Sequence, residues 1–229
     1  MIKSFCIDEN FVENNVFLTK IKSDALAFKD FDFSKTYFQE VEDKITAYIG
    51  ILGENANVYV IDNKDTKEIV DFLLFYGVKN VFSNYEFCNE SGIVLKYEKK
   101  GDEKDEFKPT AYPDYKSAYN LLNKTFSMPE YNEFVSDLSY KISHNHARFI
   151  VNENGLIYTL WETRDFAVIS AIAVDEKNRN NGVGSRLLKS MVASLRDKEI
   201  YVYCEEKTKD FYIKNGFEPT DRYFTGELK

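Results

Sequence analysis

The chain is poor in several things that would each mark a particular kind of protein. Its 3 cysteines, Cys6, Cys88 and Cys204, are odd in number and far apart. Disulfide and zinc frameworks need paired, closely spaced thiols, so these read as reduced, partly buried side chains. Its 2 histidines, His144 and His146, stand two residues apart with no further ligands nearby. A metal site needs a third and fourth donor, so no metal is expected. A helix C-terminus, where positive charge is favourable, accounts for them. Long apolar runs are also missing. The longest, Ile69 to Val78, contains Asp71 and is too short to span a bilayer. Met1 to Asn10 turns acidic at once and has no signal-peptide core. A cytoplasmic protein without a membrane partner is expected. Positive charge is in deficit, with a formal net charge of −8. Duplex nucleic acid needs a basic face, so no nucleic-acid partner is expected. An acidic surface mildly favours cationic substrates, but more often it serves solubility.

What is present describes a globular chain. A length of 229 residues allows one large domain or two small ones. The clearest seam is the mixed-charge stretch Glu98 to Lys108, which has almost nothing to bury and reads as a solvated linker or hairpin tip. All four prolines, Pro109, Pro113, Pro129 and Pro219, follow it. The expected division is a first domain at 1–98, a charged linker at 99–106 and a second domain at 107–229.

Before the seam, Val16 to Phe28 suits a helix, although its apolar pattern is imperfect. Tyr37 to Val41, Ile45 to Leu52 and Asn57 to Ile61 are β-rich runs that suggest an antiparallel meander. Asp65 and Glu68 form a capping-box pattern opening a helix that ends at Gly77, and Val78 to Phe82 is then a strand. After the seam, Phe107 to Tyr112 is expected as an edge strand, and Pro113 as the start of a helix. Ser127 to Glu130 is a second capping-box pattern before an apolar helical face. Ala147 to Asn152, Leu156 to Glu162 and Phe166 to Val174 read as successive strands, with Asn154-Gly155 as a hairpin turn. Further strands are expected at Glu199 to Cys204, near Phe217 and at Tyr223 to Leu228.

The most informative segment follows the Phe166 to Val174 strand. Arg179-Asn180-Asn181-Gly182-Val183-Gly184-Ser185 leads into a helix whose apolar stripe is Leu187, Leu188, Met191 and Leu195. Glycines at 182 and 184 let backbone N–H groups approach a bulky anion with no Cβ in the way. Arg179 adds a positive fork. By itself this pattern also describes a tight strand-to-helix turn that binds nothing. Leu187 stands where a dinucleotide fingerprint has its third glycine, and no Lys-Ser/Thr pair follows as in a P-loop.

Later, Phe211-Tyr212 precedes Gly216-Phe217. Together the two segments resemble the GNAT superfamily of N-acetyltransferases, whose Arg/Gln-x-x-Gly-x-Gly/Ala loop binds the pyrophosphate of acetyl-coenzyme A. The resemblance covers about 107–229. It implies an α/β (α+β mixed) fold, a central, mostly antiparallel sheet flanked by helices, preceded here by a smaller α/β domain. The order of elements before the seam echoes the same core without the loop, which suggests a degenerate half that binds no coenzyme. The resemblance implies acetyl-coenzyme A as co-substrate. Its contacts would be Arg179, Asn180, Asn181, Gly182, Val183, Gly184 and Ser185 on the diphosphate, the backbone of Ile172, Ala173 and Val174 along the pantetheine arm, and Phe211. The acceptor would be a primary amine of a small molecule or peptide.

Tyr212 is the general acid that the resemblance nominates; as a plain core aromatic it would bring only its hydroxyl to the rim. Glu162 is a candidate base on the strand before the central one, facing either the acetyl group or solvent. Many family members carry Asn seven residues before the tyrosine as a coenzyme contact, and the chain departs from that pattern with Glu205. Trp161 is either core or a pocket wall. A non-catalytic acyl-coenzyme A-binding module is the alternative, and a nucleotide-binding protein using the same loop ranks last. Either a monomer or a homodimer is compatible with the sequence.

Overall fold

The computed structural model describes residues 1–98 and 106–228. The expected linker therefore lies, apart from Glu106, outside the described residues. The chain divides into two compact units: one of Met1–Leu95, Tyr203–Lys209 and the residues from Pro219 on, the other of Lys96–Val202 and Asp210–Glu218. Two late segments of the chain thus belong with its first 95 residues.

In the first unit, β1 (Ile2–Ser4), α1 (Val16–Ala27), β2 (Ser34–Val41), β3 (Lys44–Leu52), β4 (Asn55–Val60), α2 (Thr66–Phe75) and β5 (Asn80–Ser83) follow in order. Strands β1 to β4 pair antiparallel in sequence, and β4 pairs parallel with β5. The β2–β3 hairpin turns on Glu42 and Asp43, both with positive φ. Helix α1 is buried on nearly every side, with Val16, Phe17, Leu18, Ile21, Lys22, Asp24 and Ala25 all sheltered. A helix hidden all round has no polar face to alternate with, which is why its pattern is poor. Two strands escape the sequence reading: β1, and β6 (Glu90–Tyr97). Ile93, Val94 and Leu95 are consecutive and all buried, so β6 lacks the alternation of a half-exposed strand.

The second unit contains α3 (Tyr115–Asn123), α4 (Tyr131–Ser143), β7 (Phe149–Asn152), β8 (Gly155–Glu162), β9 (Phe166–Val174), α5 (Val183–Ser194), most of β10 (Glu199–Cys204) and α6 (Lys209–Lys214). Strands β7, β8 and β9 pair antiparallel, while β9 pairs parallel with β10. The succession β2-β3-β4-α2-β5 is therefore repeated as β7-β8-β9-α5-β10. Strand β11 (Phe217–Glu227) leaves the second unit and pairs antiparallel with β5 in the first, with Phe224 opposite Ser83. The six helices among the described residues and the mostly antiparallel strand pairing give the mixed α/β fold expected. Leu122, Leu138, Phe149 and Leu156 form the centre of the second unit's core, and the α5 stripe of Leu187, Leu188, Met191 and Leu195 is buried as its spacing requires.

Four local expectations are corrected. Residues 107–112 form no strand; Phe107 N donates to Ser190 Oγ at 3.1 Å and Thr110 N to the Phe149 carbonyl at 2.8 Å, so single bonds replace a ladder. Pro113 precedes the helix start, because Asp114 is the N-cap and accepts from Ser117 N. Ser127 does not cap α4; Glu130 occupies the cap position without a side-chain bond. The two expected C-terminal strands are one continuous β11.

Candidate acetyl-coenzyme A site

The site is built where β9 ends and α5 begins. Strand β10 pairs with β9 only from Phe166 to Ile169, although β9 continues to Val174. On its other side β9 stays paired to β8 up to Gly155 opposite Val174. Ser170 to Val174 thus keeps one ladder and, among the described residues, has no strand on the β10 side. Unpaired strand backbone is an open row of donors and acceptors for an extended chain. Ile172 and Val174 are half-buried and Ala173 is buried along this edge.

The loop that follows is arranged by backbone conformation. Asn180 and Gly182 have φ of 62° and 75°, and Gly182 is the N-cap of α5. This left-handed geometry suits glycine because it has no Cβ to clash with its own carbonyl. No side chain caps α5 and no acid stands in its first turn. Arg186 N donates to the Gly182 carbonyl at 3.0 Å and opens the helical ladder, so the N–H groups of Val183, Gly184 and Ser185 point out of the helix end. Such a terminus carries a partial positive charge and orphan donors. Arg179, Asn180 and Asn181 are exposed beside it. The Arg179 guanidinium donates through Nε to the Val174 carbonyl at 3.2 Å and lies 3.4 Å from Thr125 Oγ1. It is therefore tethered at the mouth of the loop. No motif marks Thr125, and only the folded chain brings it there.

Gly184 joins the loop to the Phe211-Tyr212 segment. A Cβ built on it would lie 3.5 Å from the Phe211 ring and 3.7 Å from Val174 Cγ2, so three predicted positions meet at one point. Tyr212 is only 8% exposed, with its ring centroid 5.1 Å from Phe211 and 5.7 Å from Phe217, both edge-on. It is a core aromatic one residue from the loop contact.

Glu162 is placed differently. Its side chain is 2% exposed; Oε2 is 3.0 Å from Arg148 Nε, and Oε1 accepts from Thr159 Oγ1 at 2.6 Å. Arg148 also donates to the Ser194 carbonyl. Both carboxylate oxygens of this candidate base are engaged, in a buried ion pair that ties β8 to the end of α5. His144 is the C-cap of α4, with its Nδ1 2.8 Å from the Tyr140 carbonyl. The His146 ring meets the Glu162 carbonyl at 3.2 Å.

Comparison with known proteins agrees with this geometry. Residues 145–219 match the family model described as an acetyltransferase (GNAT) domain. That stretch of the chain is thus similar to a GNAT acetyltransferase domain. The match spans β7, β8, β9, the loop, α5, β10 and α6. Whole-chain structural similarity extends further. A GNAT-family acetyltransferase from Colwellia psychrerythraea aligns over 100% of both chains with a TM-score of 0.53 and 14% identity. A GCN5-related N-acetyltransferase from Sphaerobacter thermophilus covers 97% of this chain and 96% of its own, with a TM-score of 0.56 and 12% identity. A tandem GNAT protein from the clavulanic acid biosynthesis pathway covers 99% and 98%, with a TM-score of 0.51 and 8% identity. These likenesses concern the fold. Comparison with curated proteins found no match.

Proposed function

We propose that the second unit binds acetyl-coenzyme A and transfers its acetyl group to a primary amine of a small molecule or peptide. The observation that carries this reading is the uncapped, acid-free start of α5 beside the open Ser170–Val174 edge. The diphosphate would sit on the N–H groups of Val183 to Ser185 and against Arg179, with Asn180, Asn181 and Gly182 shaping the loop. The pantetheine amides would add to β9 as an extra strand at Ile172, Ala173 and Val174. Phe211 would pack on the coenzyme beside Gly184. Micromolar binding needs about 8 kcal/mol. The helix terminus supplies roughly 0.3 to 1 kcal/mol and charge-assisted bonds from Arg179 about 1.5 to 3 kcal/mol. Backbone bonds and burial of the arm supply the remainder.

Acetyl transfer needs the amine to lose a proton and the departing thiolate to gain one. A Lys-like amine with a pKa near 10.4 is neutral in only about one molecule in a few thousand at pH 7. Tyr212 is proposed as the donor to the thiolate. A phenol near pKa 10 protonating a thiolate near 8.5 is uphill by roughly 2 kcal/mol in water, and apolar surroundings raise the thiol and narrow that gap. With Glu162 committed to Arg148, the acceptor proton leaves through solvent or the substrate's own groups.

That commitment favours the second reading, an acyl-coenzyme A-binding module without turnover. Calorimetry with acetyl-coenzyme A and a free-thiol assay over a panel of amines tests both. Acetyl transfer predicts that Tyr212→Phe keeps coenzyme affinity and loses about 10² to 10⁴ in rate. Tight coenzyme binding with no thiol release from any amine would leave only the module. A cytoplasmic enzyme, monomeric or homodimeric, fits this reading; no helix among the described residues is long and apolar enough to cross a membrane.

A further inference from the structure

The first unit contains a second concentration of chemistry that the acetyl-transfer reading does not use. Phe17 on α1, Tyr59 on β4, Phe82 on β5, Tyr203 at the end of β10 and Tyr223 on β11 form one aromatic cluster. Phe82 stacks on Tyr223 at 5.0 Å and meets Tyr203 edge-on at 4.7 Å; Tyr203 and Tyr223 are 5.4 Å apart. Phe17 lies 6.0 Å from both Phe82 and Tyr203 and is parallel to Tyr59 at 6.1 Å. Tyr203 is held by donating its hydroxyl to the Val16 carbonyl at 3.2 Å. Tyr223 is seated over Gly92, where any Cβ would come within 2.4 Å of the Tyr223 ring. The cluster is thus fixed at two points.

It already holds a cation. The Lys20 ammonium lies 3.8 Å from the centroid of Phe82, the geometry in which a ring's negative face attracts positive charge. Phe82, Tyr59, Tyr203 and Tyr223 are all half-buried, so the cluster reaches the surface instead of closing as core. Its surroundings are acidic. Burial, together with the nearby Glu205 and Glu90 carboxylates, pushes the Tyr223 hydroxyl up to about 12. Burial and Asp221 likewise raise Tyr59. Negative charge beside half-buried rings disfavours anions and favours organic cations.

We propose that this aromatic cluster is a binding site for an organic ammonium ion, and that the Lys20 ammonium is its resident, displaceable cation. Lysine suits the role because its ammonium is a compact charge on a flexible four-carbon stem. The inference stands whether or not the second unit transfers acetyl groups.

Choline and its neutral carbon isostere test it, titrated by calorimetry into the full chain and followed by aromatic-proton NMR. Lys20→Met, which keeps the apolar stem and removes the competing charge, is expected to bind choline about tenfold or more tightly than the parent. The isostere is expected to bind at least about tenfold more weakly than choline to the same protein, because it lacks the charge the rings select. Phe82→Leu in the Lys20→Met background is expected to lose the response. Near-UV circular dichroism checks that each variant is folded, and Lys20→Gln replaces Lys20→Met should the latter fail. Equal binding of choline and its isostere overturns the proposal. So does a folded Lys20 variant whose Phe and Tyr resonances are unmoved by millimolar choline.

Discussion

Helices α2 and α5 occupy corresponding places in the two units, each following an antiparallel meander and leading into a parallel strand, yet their N-termini are finished in opposite ways. Helix α2 is capped by Asp65, whose carboxylate accepts from Glu68 N, and Glu68 adds an acid to the first turn. Burial works against the Glu68 charge, but the Gln39 amide, the Met1 ammonium and the Ile2 backbone outweigh it and hold its carboxyl below the usual range. Helix α5 has a left-handed glycine at the cap, no capping side chain and no acid. The strand edges differ in the same sense. Past its pairing with β5, β4 has its Val60 N–H and carbonyl taken up by the Asn84 amide, both at 2.8 Å, whereas β9 leaves Ser170–Val174 without a strand on that side. The same architecture is closed by its own side chains in one unit and left open in the other.

The largest test exchanges the two ends. Gly182→Asp with Ser185→Glu rebuilds the α2 cap on α5, placing two carboxylates where the diphosphate would bind. Calorimetry is expected to show acetyl-coenzyme A affinity reduced more than about a hundredfold, a loss near 3 kcal/mol. Retained affinity in the double variant would break the comparison. Arg179→Ala is expected to cost about 1.5 to 3 kcal/mol of coenzyme binding while leaving the melting temperature nearly unchanged, since its side chain is exposed. An unaltered dissociation constant would remove Arg179 from the site.

In the first unit the expected effects are on stability. Asn84→Ala leaves the Val60 donor and acceptor without their partners and is expected to destabilise the fold by about 1 to 3 kcal/mol, with coenzyme affinity unaffected. Urea melts and the same calorimetry separate the two outcomes. The smallest effect concerns pH. Because the Glu68 carboxyl is lowered in the folded chain, its contribution is present above the ordinary carboxylate pKa and is lost as pH falls through the folded value. Thermal melts of Glu68→Gln should therefore differ from the parent near neutrality and converge in acid. A gap that persists at low pH would show that Glu68 acts through packing.

Much of this was legible before folding. The β9 and β10 boundaries, the buried stripe of α5 and the Asp65 cap follow from local periodicity and capping chemistry, which act over a few residues. The uncapped start of α5 was legible because Gly182 and Gly184 mark a tight strand-to-helix turn that sequence displays directly. The role of Glu162 was not legible, since an acid on a strand does not reveal that Arg148 and Thr159 will meet both its oxygens. Residues 107–112 misled for the opposite reason. Their composition permits a strand, but no neighbouring edge receives them, and a strand exists only by pairing.

By itself, then, the sequence determined where the chain turns helical or extended, and that the second half has a helix opened by glycines, because both depend on backbone preferences within one or two turns. Tertiary structure decided that β10 parts from β9 after Ile169, that Asn84 fills the matching gap on β4, and that Phe211 comes to rest against Gly184. Those outcomes depend on which distant groups arrive to satisfy a backbone donor or a ring face, and no stretch of sequence carries that information alone.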